Sequence, residues 1–233
     1  MRPSVAVVHD LVGGVRPVDQ LEADHQAEVL RWLWETDDVF RRVKPALPPR
    51  HLVSYVVPID PTDGAILLVD HVNAGLWLPP GGHVEPDEHP AGTALREARE
   101  ELGINTERFS APDGSVGAEG FDGRPAFLTV TRTVGIDHGH TDVSLWFPLP
   151  LRRTEPLTGD PGEFREARWW SPAEIAGTDP GRFDPHFGRF TGKIGTGSDR
   201  FSTRPIPLST TTGAYPQAIS TADPGYPQAL FTT

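Results

Sequence analysis

Residues 82 to 104 read GHVEPDEHPAGTALREAREELGI and carry the strongest structural signal in the chain. The segment Pro90–Leu102 is predicted to be a helix, because proline is favoured in the first turn of a helix and glycine, here Gly103, just past its end. Residues three and four apart are neighbours on a helix, so Glu97, Glu100 and Glu101 project from one face. The opposite face is apolar and should pack on a sheet; it consists of Ala91, Ala94, Leu95, Ala98 and Leu102.

The acidic face of this helix predicts a metal site. Three like charges repel one another unless a cation lies among them, and carboxylate oxygens suit Mg²⁺ or Mn²⁺. The Gly81-Gly82 pair lets the backbone approach closely, so the Gly81 carbonyl and the carboxylates could share one cation. Such a cation activates a bound water and neutralises charge during attack on phosphorus. The acidic face is compatible with phosphoanhydride hydrolysis, but the ordinary interpretation of a Glu-rich helix is a solvated surface, and only the spacing of the whole stretch decides between the two.

The same stretch resembles the Nudix box, Gly-x5-Glu-x7-Arg-Glu-U-x-Glu-Glu-x-Gly-U, in which U is a bulky apolar residue. The matching positions are Gly82, Glu88, Arg96, Glu97, Glu100, Glu101, Gly103 and Ile104. Ala98 departs from the pattern, because it is small where a larger aliphatic residue is usual. This change could loosen the packing beneath the helix, but it removes no ligand.

The resemblance implies an α/β fold, an α/β/α sandwich around a mixed sheet. It also implies that Glu97, Glu100 and Glu101 bind a divalent metal, Mg²⁺ or alternatively Mn²⁺, and that these glutamates are catalytic together with Arg96. By the same analogy Arg96 orients the carboxylates. The residues expected to support the geometry of the box are Gly82, Glu88 and Gly103.

The chain divides into three zones. Residues 1–49 are predicted to form a helical extension, because Asp19 and Glu22 make a capping-box pattern ahead of an apolar helical face. That face should pack on the main domain or across a dimer. Residues 50–194 are predicted to be the Nudix hydrolase domain. Residues 195–233 are rich in Ser, Thr, Pro and Gly, which indicates a flexible tail or, alternatively, a partner-binding extension.

Alternating or apolar runs within the middle zone predict its strands. They cover residues 52–57, 65–69, 76–78, 126–134, 143–149 and 167–170. The first two runs suggest a hairpin or a bulged connection. A second capping box, Ser171 with Glu174, predicts a short helix after the last strand.

Other candidate site residues lie outside the box. Trp77 could stack on a base or could be a core tryptophan. The polar loop 137–142 joins two strands and offers His138, His140 and Asp142 for contact with phosphate or metal, although an ordinary turn is the simpler interpretation. Candidates for a distal general base are Glu163 and Glu166, with Glu101 comparable.

Composition limits the function further. The net charge of −11 disfavours duplex nucleic acid as a partner, whereas a small phosphorylated nucleotide can bind if a divalent cation screens the carboxylates. The chain has no cysteine, which excludes disulfides and thiolate metal sites. It has no apolar run near the roughly 20 residues that cross a bilayer, and its start does not resemble a secretory signal. We therefore expect a cytoplasmic protein without membrane contact, and a homodimer is conceivable.

Three functions are compatible with the box. The first is hydrolysis of a nucleoside triphosphate, including an oxidised guanine nucleotide, or of a nucleotide sugar. The second is a catalytically idle module that senses a nucleotide and regulates a partner, although the complete set of glutamates argues against it. The third, isomerase chemistry on an isopentenyl-type diphosphate, usually needs a catalytic cysteine, and the chain has none.

Overall fold

The computed structural model describes residues 1–43, 47–72, 74–110, 117, 119–134, 139–158, 164–195 and 230–231. The helices are α1 (Pro3–Gly14), α2 (Gln20–Glu35), α3 (Pro90–Leu102), α4 (Pro172–Gly177) and α5 (Phe187–Gly195). The strands are β1 (Arg50–Ile59), β2 (Ile66–His71), β3 (Trp77–Leu78), β4 (Gly81–His83), β5 (Phe127–Val134), β6 (Thr141–Pro150), β7 (Phe164–Trp170) and β8 (Leu230–Phe231). Two 3₁₀ turns occupy Glu107–Phe109 and Pro180–Arg182.

The strands form one mixed sheet. Its order is β3-β2-β1-β6-β5-β8, with β4 paired to β1 and β7 paired to β2. β1 and β6 are parallel from Arg50↔Thr141 to Ile59↔Pro150, whereas the other pairs are antiparallel. A strand that is covered on both faces needs an almost continuous apolar sequence, and β1 is buried along nearly its whole length.

Helices cover both faces of the sheet, so the predicted sandwich is confirmed. Alternate residues of β1 separate into two cores because successive side chains of a strand point to opposite faces. Leu52 and Val56 pack in the core that contains the apolar face of α3 and the buried valines of α1. Val53 and Tyr55 pack in an aromatic core that includes Phe190 of α5.

The N-terminal helices pack on the sheet rather than projecting from it. Asp19 caps α2 by accepting a hydrogen bond from the Glu22 amide at 2.8 Å, as the sequence predicts. The other half of the capping box is shifted by one residue, because Glu22 Oε2 accepts from the amide of Val18, just before the N-cap, at 2.8 Å. The Glu22 residue is fully buried, and its Oε1 lies 2.6 Å from Lys193 Nζ of α5 and accepts from the Leu128 amide of β5 at 3.2 Å.

Several local predictions need correction. α1 and α5 are helices in addition to the predicted ones, and the Gly81-Gly82 pair belongs to the short strand β4. The expected hairpin or bulged connection between β1 and β2 needs no correction, because these strands are antiparallel neighbours that pair at Ile59↔Ile66. Within the described ranges, no helix is both long and apolar enough to cross a membrane. The tail prediction falls outside the described residues, apart from Gly195 and β8.

Candidate active site

The helix that carries the box carboxylates is held at both ends by local chemistry. At its start His89 Nδ1 accepts a hydrogen bond from the Ala91 amide at 3.1 Å. At its end Gly103 adopts a φ of 67°, a conformation that favours glycine. A Cβ at Gly103 would also lie 1.8 Å from Thr158 Oγ1. The box glycine is therefore required twice, for its backbone conformation and for its packing.

Gly82 brings β4 into contact with Glu97. A Cβ added at Gly82 would stand 2.1 Å from Glu97 Oε1 and 2.6 Å from its Cδ. The Glu97 carboxylate thus occupies the space that any larger residue at position 82 would fill. Gly81 is constrained differently, because its Cβ would lie 2.4 Å from the backbone oxygen of Ser54 in β1.

Arg96 connects the carboxylates of the box. Its Nε and Nη2 donate to the two oxygens of Glu88 at 3.0 and 3.2 Å. Its Nη1 donates to Glu97 Oε1 at 2.7 Å and to Glu100 Oε2 at 3.1 Å. Burial lowers the pKa of Arg96, but the hydrogen bond with Glu88 and the charges of Glu97 and Glu100 outweigh it, so the net shift is upward. Arg96 therefore stays positively charged and fixes three carboxylates.

The three metal-binding candidates differ in exposure. Glu97 and Glu101 are 9% and 7% exposed, although both are carboxylates. The Glu100 side chain is 48% exposed, and Arg99 approaches it at 3.9 Å. Buried carboxylates need compensating partners, and the helix places Glu97 and Glu101 one turn apart on the same side. This arrangement can hold a hard cation at the edge of α3.

The candidate site residues outside the box are placed less favourably for contact with a substrate. Trp77 is 6% exposed and packs edge-on against Trp170 with ring centroids 5.1 Å apart, so little of its ring is free to stack on a base and its core alternative fits better. Glu166 is exposed on β7, the strand that pairs with β2. Glu163 and His138 lie outside the described residues.

A second group of polar side chains lies around the start of β1. His51, His83, His140 and Asp142 each offer one ligand atom, and these atoms all lie within 4.8 Å of one another. The sequence interpretation included His140 and Asp142 but missed His51 and His83. The register explains their meeting, because His51 pairs directly with Asp142 and His83 pairs with Val53. We call these four residues the histidine cluster.

The histidine cluster perturbs the ionisation of its members. Burial raises the pKa of Asp142, but the contacts with His140 and His51 and the charge of His83 more than reverse this, so the net shift is downward. Burial lowers the pKa of His83 well below its ordinary value; Asp142 opposes this shift, and Arg41 adds to it. The buried carboxylate is therefore held in its charged form beside three imidazoles.

The fold and the box together define a class: an α/β/α sandwich in which a carboxylate-bearing helix packs behind a glycine-containing strand. Comparison with known proteins agrees. The family model described as NUDIX domain matches residues 49–190. The chain therefore belongs to the Nudix hydrolase family, which confirms the resemblance seen in the sequence.

Individual relatives match only parts of the chain. It is 34% identical over 98 residues to an uncharacterised Nudix hydrolase, orf19, of Rhodococcus erythropolis, covering 41% of this chain and 45% of that protein. It is 46% identical over 57 residues to the CTP pyrophosphohydrolase of Escherichia coli strain K12, covering 23% and 42%. The alignments thus span less than half of these relatives. A NUDIX-family hydrolase structure from Clostridium perfringens matches with a TM-score of 0.44 and 22% identity, over 63% of this chain and 97% of that one.

Proposed function

We propose that the protein hydrolyses a phosphoanhydride bond in a nucleoside diphosphate derivative, with Mg²⁺ as cofactor and water as nucleophile. The observation that carries this proposal is the contact between Gly82 and the Glu97 carboxylate, which Arg96 holds at 2.7 Å. The contact between Gly82 and Glu97 joins β4, the strand in which the box begins, to the acidic face of α3. The sequence carries every residue of the box pattern except the bulky apolar residue at position 98, which is Ala98.

The donor set fits a hard divalent cation. Glu88, Glu97 and Glu100 all contact the single guanidinium of Arg96, so negative charge exceeds positive charge around it. The residues that would hold the metal are Glu97, Glu100, Glu101 and the Gly81 carbonyl, all of them oxygen ligands. When bound, Mg²⁺ would neutralise phosphate charge and make a water more acidic.

The protein side chains would position the substrate's reacting phosphate and take up a proton. A water oxygen forms a bond to phosphorus, and the bond from that phosphorus to the bridging oxygen breaks. The bridging oxygen leaves with its electron pair on the departing phosphate, while a glutamate accepts the proton of the water. Glu101 is our first candidate for this base because it is nearly buried on the acidic side of α3; Glu166 and Glu163 are the alternatives.

We infer a nucleoside triphosphate as the first substrate class to test, including oxidised guanine nucleotides, and nucleotide sugars as the second. The similarity to a CTP pyrophosphohydrolase supports this order. The net charge of −11 also favours a small substrate that arrives with its metal over a nucleic acid. A homodimer and a cytoplasmic location remain predictions, and light scattering tests the first.

The test is a screen of triphosphates, nucleotide sugars and ADP-ribose with Mg²⁺, with products separated by chromatography. In ¹⁸O-labelled water, one phosphate product should carry the label. Glu100→Gln and Glu101→Gln should each lower kcat by at least about 100-fold, the scale of a lost electrostatic contribution in the transition state. Glu107→Gln, on an exposed 3₁₀ turn, is the matched control and should leave kcat unchanged.

Full turnover in both Glu100→Gln and Glu101→Gln would show that the metal assignment is wrong. Nucleotide affinity by calorimetry, without any product after long incubation, would contradict hydrolysis and indicate a nucleotide-binding module instead.

A further inference from the structure

We propose that the histidine cluster is a second metal site, separate from the box carboxylates, and that it binds Zn²⁺ as a structural ion. Three imidazoles and one carboxylate supply its ligands: His51, His83, His140 and Asp142. Imidazole nitrogen suits zinc, whereas magnesium prefers oxygen ligands. The two sites therefore differ in the metal that they select.

Distances within the cluster match tetrahedral zinc. Ligand atoms about 2.0 Å from a tetrahedral zinc stand about 3.3 Å from one another. His51 Nε2 and His140 Nε2 each lie 3.3 Å from Asp142 Oδ1. The largest separation in the set stays within 4.8 Å, so a movement of about 1.5 Å by an imidazole ring would complete the tetrahedron.

The tautomer of His51 points to a missing partner. Its Nδ1 lies 2.7 Å from the Pro48 carbonyl oxygen, which can only accept, so Nδ1 carries the hydrogen. In the neutral ring, Nε2 then presents a lone pair to the Asp142 carboxylate. A lone pair and a carboxylate oxygen that face each other at 3.3 Å need a cation between them, either a proton on Nε2 or a metal ion. A backbone carbonyl that fixes the outer nitrogen of an imidazole is also the usual support for a zinc ligand.

The burial of these atoms gives independent support. His51 is completely buried. Within the part of the chain that the structure describes, His51 Nε2, His83 Nε2 and Asp142 Oδ1 are buried without a hydrogen-bond partner. Unsatisfied buried polar atoms are rare in folded proteins and commonly indicate an ion or water at that place. Here all three atoms belong to residues of the histidine cluster.

The position of the cluster indicates a structural role. Its ligands come from β1, from β4 and from the start of β6, so one ion would tie three strands together. Four protein ligands fill a tetrahedral site and leave no position for substrate. The backbone oxygen of His83 accepts from Arg96 Nη2 at 3.3 Å, so the ion would also hold β4, the strand in which the box begins, in position.

The test measures zinc directly in the full-length protein. Purified wild type should contain one equivalent of zinc by mass spectrometry, and zinc should raise the midpoint of thermal unfolding of the stripped protein. His140→Gln and Asp142→Asn should weaken zinc affinity by at least about 10-fold to 100-fold in a chelator competition. His9→Gln on α1 is the matched histidine control, and Glu97→Gln is the control for the box; both should keep the zinc.

A second readout does not depend on variants. Co²⁺ added to the stripped wild type should give the strong visible absorption of a tetrahedral ion, and Zn²⁺ should abolish it. Circular dichroism checks that each variant is folded, and His140→Gln is the mildest of them because that side chain is partly exposed. The proposal fails if stripped, folded wild type binds neither ion. It also fails if zinc is lost in Glu97→Gln and kept in His140→Gln.

Discussion

Gly82→Ala is expected to inactivate the protein without unfolding it. The new methyl carbon would stand 2.1 Å from Glu97 Oε1, so that oxygen must move by about 1.3 Å to reach an ordinary contact. The obstacle is the end of a flexible side chain, which can move while the backbone stays in place. That movement breaks the 2.7 Å contact with Arg96 and displaces a candidate metal ligand.

The expected loss follows from that displacement. A misplacement of about 1 Å near reacting groups can lower a rate by about 100-fold. This corresponds to about 2.7 kcal/mol in the activation barrier. We expect kcat for the substrate found in the screen to fall by this factor, and Mn²⁺ affinity by calorimetry to fall with it. The midpoint of thermal unfolding should change little.

Two neighbouring glycines separate this explanation from a general effect of alanine. A Cβ at Gly92, within α3, would meet only His89 Cβ at 3.9 Å, so Gly92→Ala should keep kcat and gain about 0.5 to 1 kcal/mol of stability. A Cβ at Gly81 would meet the backbone of Ser54 at 2.4 Å and of Tyr55 at 2.9 Å, so Gly81→Ala should be unstable. Wild-type kcat and Mn²⁺ affinity in Gly82→Ala would refute the reasoning.

Two further substitutions test buried charges. Burial raises the pKa of Asp184 to about 7, although the hydrogen bond from the His186 amide opposes it, whereas the unfolded carboxyl keeps its ordinary value of 3.8. Asp184 therefore contributes stability that is complete below about pH 4 and is lost as pH rises towards 7, in total about 4 kcal/mol. Asp184→Asn should flatten the dependence of the free energy of unfolding on pH, measured by urea unfolding between pH 5 and 8. An unchanged pH dependence would contradict this explanation. Lys193→Met leaves the buried Glu22 without its 2.6 Å partner and should lower the free energy of unfolding by about 3 kcal/mol. Arg42→Met, at the exposed pair with Asp38, is the control and should change the free energy of unfolding little. Equal losses in the two variants would show that burial does not govern these pairs.

The sequence predicted best where a structure depends on neighbours along the chain. The helix α3 has the predicted bounds because its proline, its glycine and its apolar spacing all act within one segment. α1 carries comparable signals, since Pro3 stands at its start and Val5, Val8 and Val12 follow a helical spacing. These signals are local, so α1 is a helix that the sequence is able to predict.

α5 and the central strand pairing could not be predicted in the same way. α5 contains several glycines, which disfavour a helix, and its stability comes from Phe187 and Phe190 in the aromatic core. The parallel pairing of β1 with β6 joins segments about ninety residues apart, and apolar content alone does not choose a partner strand. Tertiary contacts decided both.

The histidine cluster illustrates the same limit for a candidate site. His140 and Asp142 lie two residues apart in the polar stretch 137–142, which is why the sequence suggested them together. His51 joins them only through the parallel register, and His83 only through the pairing of β4 with β1. The spacing of these residues along the chain does not predict the histidine cluster, because its members come from separate segments of the sequence.

β4 links the two candidate sites through consecutive residues. Gly82 faces Glu97, and His83 belongs to the histidine cluster, which agrees with the alternation of side chains along a strand. The box pattern specifies the glycine and leaves the next position open. In this chain that open position holds a candidate zinc ligand whose backbone oxygen contacts Arg96. A substitution of His83 should therefore shift β4 and, through it, the contacts of Gly82 and Arg96, even though it removes none of the box residues.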